Sequence, residues 1–187
     1  MGERKMSEFE FAINSAKQIA KELQERQMNR PDQYQERVWD DGKQFGLRFG
    51  IVGFLDFSYF KNYNMVVDIK TTKRVPSSYE SAYQMNKGHF LQQSLYWKLT
   101  GETRRFALLY ASDKKVNFIE IKKEDLQKGW QEILFNMKFI ERIDSQCKSK
   151  EDWLLSFPYP SLNSYYFSDD NFKQTITKLY KGVIDNG

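Results

Sequence analysis

Two aspartates stand in stretches that otherwise read as apolar strands. Asp56 lies in Ile51-Val52-Gly53-Phe54-Leu55-Asp56-Phe57, and Asp68 lies in Met65-Val66-Val67-Asp68-Ile69-Lys70. Aspartate is disfavoured in strands, and a buried carboxylate needs a partner. Strand alternation puts Asp68 and Lys70 on one face. A tight turn at Lys61-Asn62-Tyr63-Asn64 brings Asp56 across from the Asp68 region, so three charges meet on one patch. Two carboxylates held that close repel, and a divalent cation is the usual remedy. Oxygen ligands with few protein carboxylates suit magnesium best, with water and phosphate filling the other positions. The chemistry to expect is that of a divalent ion holding water and a phosphate.

An isolated D-x-K triplet is common by chance and more often marks a structural salt bridge. Here further features follow in order. Gly53 precedes Asp56 by three positions, and a glycine inside a strand suggests a bulge or close approach, such as a bulky polymer would need. Thr71, Thr72, Lys73 and Arg74 follow Lys70, then Pro76, Ser77 and Ser78. Gln92 and Tyr96 share a helix face at a four-residue step, with His89 on the same face. Leu91, Leu95 and Leu99 form the neighbouring stripe, expected to anchor that helix to the sheet.

G-x-x-D, D-x-K-T and Q-x-x-x-Y, in this order and spacing, resemble the RecB-type branch of the PD-(D/E)-x-K nuclease superfamily. The likeness covers about Glu36 to Tyr110, and Val67 to Ser78 looks most like the phage-encoded, stand-alone exonucleases. The resemblance implies an α/β fold with a restriction-endonuclease-like αβββαβ core, a mixed central sheet flanked by helices. It implies a metal-dependent DNA nuclease, an exonuclease acting on single strands or DNA ends in phage or bacterial replication, recombination or repair, with a replication or recombination protein as a further partner. The alternatives are a structure-specific endonuclease with the same site and a non-catalytic DNA-binding accessory protein. An RNA-processing enzyme is a third. Many relatives carry four cysteines for an iron–sulfur cluster; with Cys147 alone this chain resembles the cluster-free branch.

Carried onto this sequence, the catalytic set is Asp56, Asp68, Lys70, Gln92 and Tyr96. The metal set for magnesium or manganese is Asp56, Asp68 and the Ile69 carbonyl, with Glu36 as a further ligand and Asp40 and Asp41 as its competitors. Lys70 orients the attacking water and offsets charge on the phosphoryl group. Gln92 hydrogen-bonds near Lys70 or the phosphate, and Tyr96 supports or stacks on the substrate. Thr71, Thr72, Lys73, Arg74, Ser77, Ser78 and His89 are the candidate substrate contacts. Tyr79, Tyr83 and Phe90 are candidates for stacking on unpaired bases. Trp130, Trp153 and Cys147 read as packing residues.

The elements that must hold these groups follow from periodicity. Ser7 to about Met28 reads as an amphipathic helix, with Phe9, Ile13, Ala16, Ile19, Ala20 and Leu23 on one side. Pro31 is placed to begin a short second helix through Val38, and Asp40-Asp41-Gly42 signals a turn. Strands are expected over 47–60 and 65–71 as an antiparallel hairpin, then a helix after Ser78 to Leu99, ended by Thr100-Gly101. Arg105–Ala111 and Val116–Ile121 read as strands. Glu124–Ile143 reads as a long helix burying Leu126, Trp130, Ile133, Leu134, Met137 and Ile140. Pro158 and Pro160 break the tail before a short helix near Phe172–Tyr180.

With 187 residues, a single nuclease domain over 1–187 is expected. Its helical part is 1–45, the catalytic sheet and Q-x-x-x-Y helix are 46–121, and the C-terminal helices are 122–187. At 40% hydrophobic and 16% aromatic the chain is globular rather than disordered. No apolar run reaches the ~20 residues of a membrane span, and Met1 to Ser7 is polar, so a cytoplasmic protein without membrane partners is expected. A net charge of +4 permits a polyanionic partner without requiring one.

Overall fold

The structure is a computed structural model that describes residues 2–157 and 169–185; the expected break at Pro158 and Pro160 lies outside them. The chain falls into two compact units, Met1–Asn136 and Met137–Gly187. The first contains helix α1 (Gly2–Glu25), strands β1 (Gln33–Asp40), β2 (Ile51–Tyr59) and β3 (Met65–Thr71), helices α2 (Tyr79–Met85) and α3 (Lys87–Leu99), and strands β4 (Arg105–Ala111) and β5 (Val116–Glu120). It also holds the first half of α4 (Lys123–Gln146). The second unit holds the end of α4 with α5 (Lys150–Leu155) and α6 (Asp170–Asp185). Among the described residues no helix is long and apolar enough to cross a membrane.

The fold class is α/β: a five-stranded mixed sheet in the order β1-β2-β3-β4-β5, flanked by helices. Only β3 and β4 run parallel, because the α2–α3 connection is long enough to carry the chain back across the sheet. Each face has its own core. On one side Leu23 and Met28 pack with Tyr59, Met65, Val67, Ala107 and Leu109. On the other, Leu55, Val66, Phe106, Leu108 and Tyr110 pack beneath Ala82 of α2, Phe90, Tyr96 and Trp97 of α3 and Leu126 of α4. The Tyr59 hydroxyl donates to the Met28 carbonyl at 2.9 Å and fastens the exit of α1 to the hairpin.

Four expectations are corrected. Residues 33–40 form the edge strand β1 rather than a helix after Pro31. Its seven register pairs with β2 outweigh a sequence whose exposed, polar outer side hid the two-residue period. The helix expected from Ser78 to Leu99 is broken at Asn86 (φ −156°, ψ 80°) into α2 and α3. α3 buries Phe90, Gln93, Ser94, Tyr96 and Trp97, whereas the leucine stripe Leu91, Leu95 and Leu99 is only half-buried. α4 buries Leu126, Gly129 and Trp130, but Ile133, Leu134 and Met137 are half-buried and Ile140 is exposed. Gly129 is small for a reason: a Cβ there would stand 2.2 Å from Ser94 Oγ of α3.

Candidate functional site

The hairpin opens where its acidic residues begin. β2 and β3 pair at Tyr59↔Met65, Ser58↔Val66 and Phe57↔Val67, and the next step of that register sets Asp56 against Asp68. There the ladder gives way to a side chain: Asp56 Oδ2 accepts from the Ile69 backbone N–H at 3.0 Å. Its Oδ1 accepts from Gln35 Nε2 at 2.8 Å. Gln35 has φ 48°, a left-handed backbone that side-chain-bearing residues rarely adopt. Alternation slips at this point, because Leu55 packs with the α3-side core while Phe57 packs with the α1-side core. The slip turns Asp56 toward the gap between β2 and β3 instead of into either core.

Asp68 is 3% exposed, and Lys70 Nζ lies 2.7 Å from its Oδ2. Burial pushes the Asp68 carboxyl above the usual range; Lys70 pulls it back, the Asp56 charge pushes it further, and Gln93 opposes that. Gln93 is fully buried and turns its amide toward Asp68 without a well-directed hydrogen bond. Lys70 Nζ also donates to Gln92 Oε1 at 2.9 Å, and Gln92 Nε2 donates to the Tyr96 hydroxyl at 2.9 Å. The Tyr96 ring lies on Gly53, where a Cβ would come within 2.5 Å of Cε1. Gly53 thus makes room for Tyr96 rather than for a polymer. The glycine, the tyrosine, the glutamine, the lysine and the aspartate form one connected chain across two strands and a helix.

Beside this chain opens a cleft of about 450 Å³ lined by Ile69, Lys70, Thr71, Thr72, Arg74, Met85, Asn86, His89 and Tyr110. His89 Nδ1 lies 2.8 Å from the Tyr110 hydroxyl, and its Nε2 lies 2.9 Å from Asn86 Nδ2, a contact made by the break between α2 and α3. Burial, with the Lys70 charge second, pushes the imidazole down to about 4. His89 is therefore neutral at neutral pH, a hydrogen-bonding group rather than a cation. Burial, with the Asp68 charge second, pushes the Tyr110 hydroxyl up to about 12. Because the unfolded imidazole takes up its proton near pH 6.5 and the folded one only near 4, acidification through that window favours unfolding. His89→Gln should flatten the fall in melting temperature between about pH 6.5 and 4; an unchanged acid limb would contradict the half-buried, neutral histidine.

The remaining expected residues divide. Lys73, Arg74, Ser77 and Thr71 are exposed beside the cleft. Thr72 Oγ1 accepts from the Arg74 backbone N–H at 3.2 Å, and its own N–H continues the ladder to Ala111. Ser78 is the N-cap of α2, in a reciprocal capping box with Ser81. Glu36 is not brought to Asp56 and Asp68: it sits opposite Leu55, and the Arg104 fork grips both its oxygens at 2.6 and 3.0 Å. Burial works against its ionisation, but Arg104 and the Ser58 hydroxyl prevail and hold its carboxyl below the usual range. Its competitors are turn groups: Asp40 accepts from the Gly42 N–H and Asp41 from the Lys43 N–H. Tyr79, Tyr83 and Phe90 form an edge-to-face cluster; Phe90 is buried and Tyr79 donates to Asp125 at 2.6 Å, whereas Tyr83 stays exposed. Trp130 is buried, Cys147 half-buried and Trp153 largely exposed. Gln35, Gln93 and Tyr110 were not singled out from sequence. Gln35 was hidden by the helical reading of β1, Gln93 reads in sequence as one more polar helix residue, and Tyr110 as an ordinary strand aromatic.

The oxygens that could hold a cation are the Asp56 and Asp68 carboxylates and the Ile69 carbonyl. In an extended strand a residue's N–H and C=O point to the same side, so the Ile69 carbonyl follows its N–H toward Asp56. That hard-oxygen set, small and partly desolvated, fits magnesium or manganese. Among the described residues no group of three or more His, Cys, Asp or Glu side chains is arranged to hold a metal. Compared with protein-family models, curated proteins and solved structures, the chain matches none of them.

Proposed function

We propose that the chain is a metal-dependent deoxyribonuclease with a restriction-endonuclease-like core, of the RecB-type PD-(D/E)-x-K kind, acting as an exonuclease. The observation that carries this reading is the pair of carboxylates at the opening of the β2–β3 hairpin, with Lys70 fixed between Asp68 and Gln92. A purely structural salt bridge would not need a second carboxylate whose charge further raises the Asp68 pKa. The order α1, β1, β2, β3, helices, β4, with β3 and β4 parallel, supports an αβββαβ core.

Asp56, Asp68 and the Ile69 carbonyl would hold the magnesium or manganese ion. When bound, such an ion makes a coordinated water acidic and polarises the scissile phosphate. Lys70, a compact cation with three donors, orients the attacking water and offsets charge on the phosphoryl oxygens. Gln92 fixes the Lys70 ammonium, and Tyr96 fixes Gln92, so the amine is held in place before substrate arrives. Arg74 on the cleft wall and exposed Lys73 beside it meet the flanking phosphates, and neutral His89, held by Tyr110 and Asn86, lines the cleft beside Lys70. Digestion of end-labelled linear single-stranded, linear duplex and circular DNA, with Mg²⁺, Mn²⁺ or EDTA, tests this. The expected result is metal-dependent release of short products from linear DNA and none from circles. Absence of cleavage with either metal would reduce the site to a salt-bridge network.

A further inference from the structure

α3 lays two consecutive glutamines over the carboxylate site. Gln92 bridges Lys70 and Tyr96. Gln93 is fully buried on the helix face that also carries Phe90 and Trp97, three positions before it and four after it, and both belong to the apolar core on that side of the sheet. Val66, Leu108 and Tyr110 of the sheet belong to the same core. Asp68, 3% exposed, stands among them in register with Leu108.

Helical spacing calls for an apolar side chain at position 93. Gln93 instead brings an amide whose Nε2 and Oε1 have no hydrogen-bond partner among the described residues. Asp68 Oδ2, enclosed in the same layer, has Lys70 as its ion-pair partner but no well-directed hydrogen bond. A buried amide left unpaired destabilises a fold, and few native side chains are left in that state. The Gln93 amide is turned toward Asp68.

We infer that Gln93 is a positioning residue of the carboxylate site: its amide N–H closes on Asp68 and fixes the orientation in which that carboxylate meets the divalent ion. The inference rests on the metal-site reading above. Lys70 cannot fill this role alone. Its ammonium is needed at the attacking water and the phosphate, and a cation held hard against Asp68 repels an incoming cation. An amide donates a hydrogen bond and carries no net charge, so it can hold one carboxylate oxygen while the other ligates. Asp56 already has such a partner, because Gln35 Nε2 donates to its Oδ1 at 2.8 Å. Gln93 gives Asp68 the matching one. Outer partners of this kind hold metal-binding carboxylates in place, and loss of one costs about 10–100-fold in metal affinity or activity.

Mn²⁺ binding by the full chain, followed through the free-ion electron paramagnetic resonance signal without DNA, tests this. Gln93→Met keeps the bulk of the side chain and removes the amide. It should weaken Mn²⁺ binding by about tenfold or more. It should also melt no lower than the wild type, because the unpaired polar atoms are gone. A second readout needs no variant: in isotope-labelled wild-type protein, Mg²⁺ should move one Gln93 side-chain amide proton downfield as the bond to Asp68 forms. Unchanged Mn²⁺ affinity in Gln93→Met, an affinity loss matched by a lower melting temperature, or a Gln93 amide that Mg²⁺ leaves unmoved would overturn the positioning role. Those results leave the metal site standing when the wild type binds Mn²⁺. A wild type that binds none removes the metal-site reading, and the role of Gln93 with it.

Discussion

Lys70→Ala should lower metal-dependent DNA cleavage by about 10³-fold or more, the loss typical of removing a preorganised charge from a phosphoryl site. The same substitution should also weaken the fold. Asp68 is buried, Lys70 is the cation beside it, and no other cation stands in for that role among its described neighbours. Breaking a buried ion pair from one side leaves the other charge uncompensated and costs about 3–5 kcal/mol; the half-buried Lys70 places this case toward or below the lower end. The deficit has a pH signature. Burial already raises the Asp68 carboxyl above its ordinary range, and loss of Lys70 raises it further. A raised folded pKa favours the fold below the unfolded value and loses that contribution as pH rises through the folded one. The variant should therefore match the wild type in acid and fall behind toward neutral pH. Melting curves over pH, run beside a single-turnover cleavage assay, check both. A stable, fully active Lys70→Ala protein would remove the lysine from the mechanism.

Asp68→Asn should abolish cleavage as completely while moving stability the other way. Asparagine keeps the shape and an acceptor for Lys70, but it removes the carboxylate that burial and Asp56 both disfavour. Sites built for catalysis trade stability for charge placement, and relieving them commonly returns about 0.5–2 kcal/mol. For a chain of this size about 1 kcal/mol corresponds to roughly 2–4 °C in melting temperature. The gain should appear above the raised Asp68 pKa and vanish below it, because the wild-type carboxyl is then neutral too. Two inactive variants with opposite shifts in stability would mark Asp68 as a functional charge. A variant that melts below the wild type at neutral pH would mark it instead as a structural partner of Lys70.

The groups most legible in the sequence were those whose chemistry conflicts with their surroundings. Asp56 and Asp68 stand out in apolar runs, and the two-residue step from Asp68 to Lys70 fixes their shared face without any tertiary information. The four-residue step from Gln92 to Tyr96 likewise survives as a 2.9 Å hydrogen bond. The parts that were not legible depend on contacts made far along the chain. Glu36 looks like any acidic residue on a polar segment until β1 pairs with β2 and Arg104, 68 positions away, closes on it. Gly53 reads as a bulge until α3 lays Tyr96 across it. β1 itself carries a left-handed Gln35 and exposed polar side chains, which blurred the alternation and let Pro31 suggest a helix. Asn86 splits a helix that its sequence would continue.

The central claim is that Asp56 and Asp68 together bind a divalent ion. Titration of Mn²⁺ into the wild-type protein, followed by loss of the free-ion electron paramagnetic resonance signal, measures this without substrate. The account predicts saturable binding that weakens about tenfold or more in both Asp56→Asn and Asp68→Asn and is displaced by Mg²⁺. Equal Mn²⁺ binding by the wild type and the two variants, or none by any of them, would contradict it.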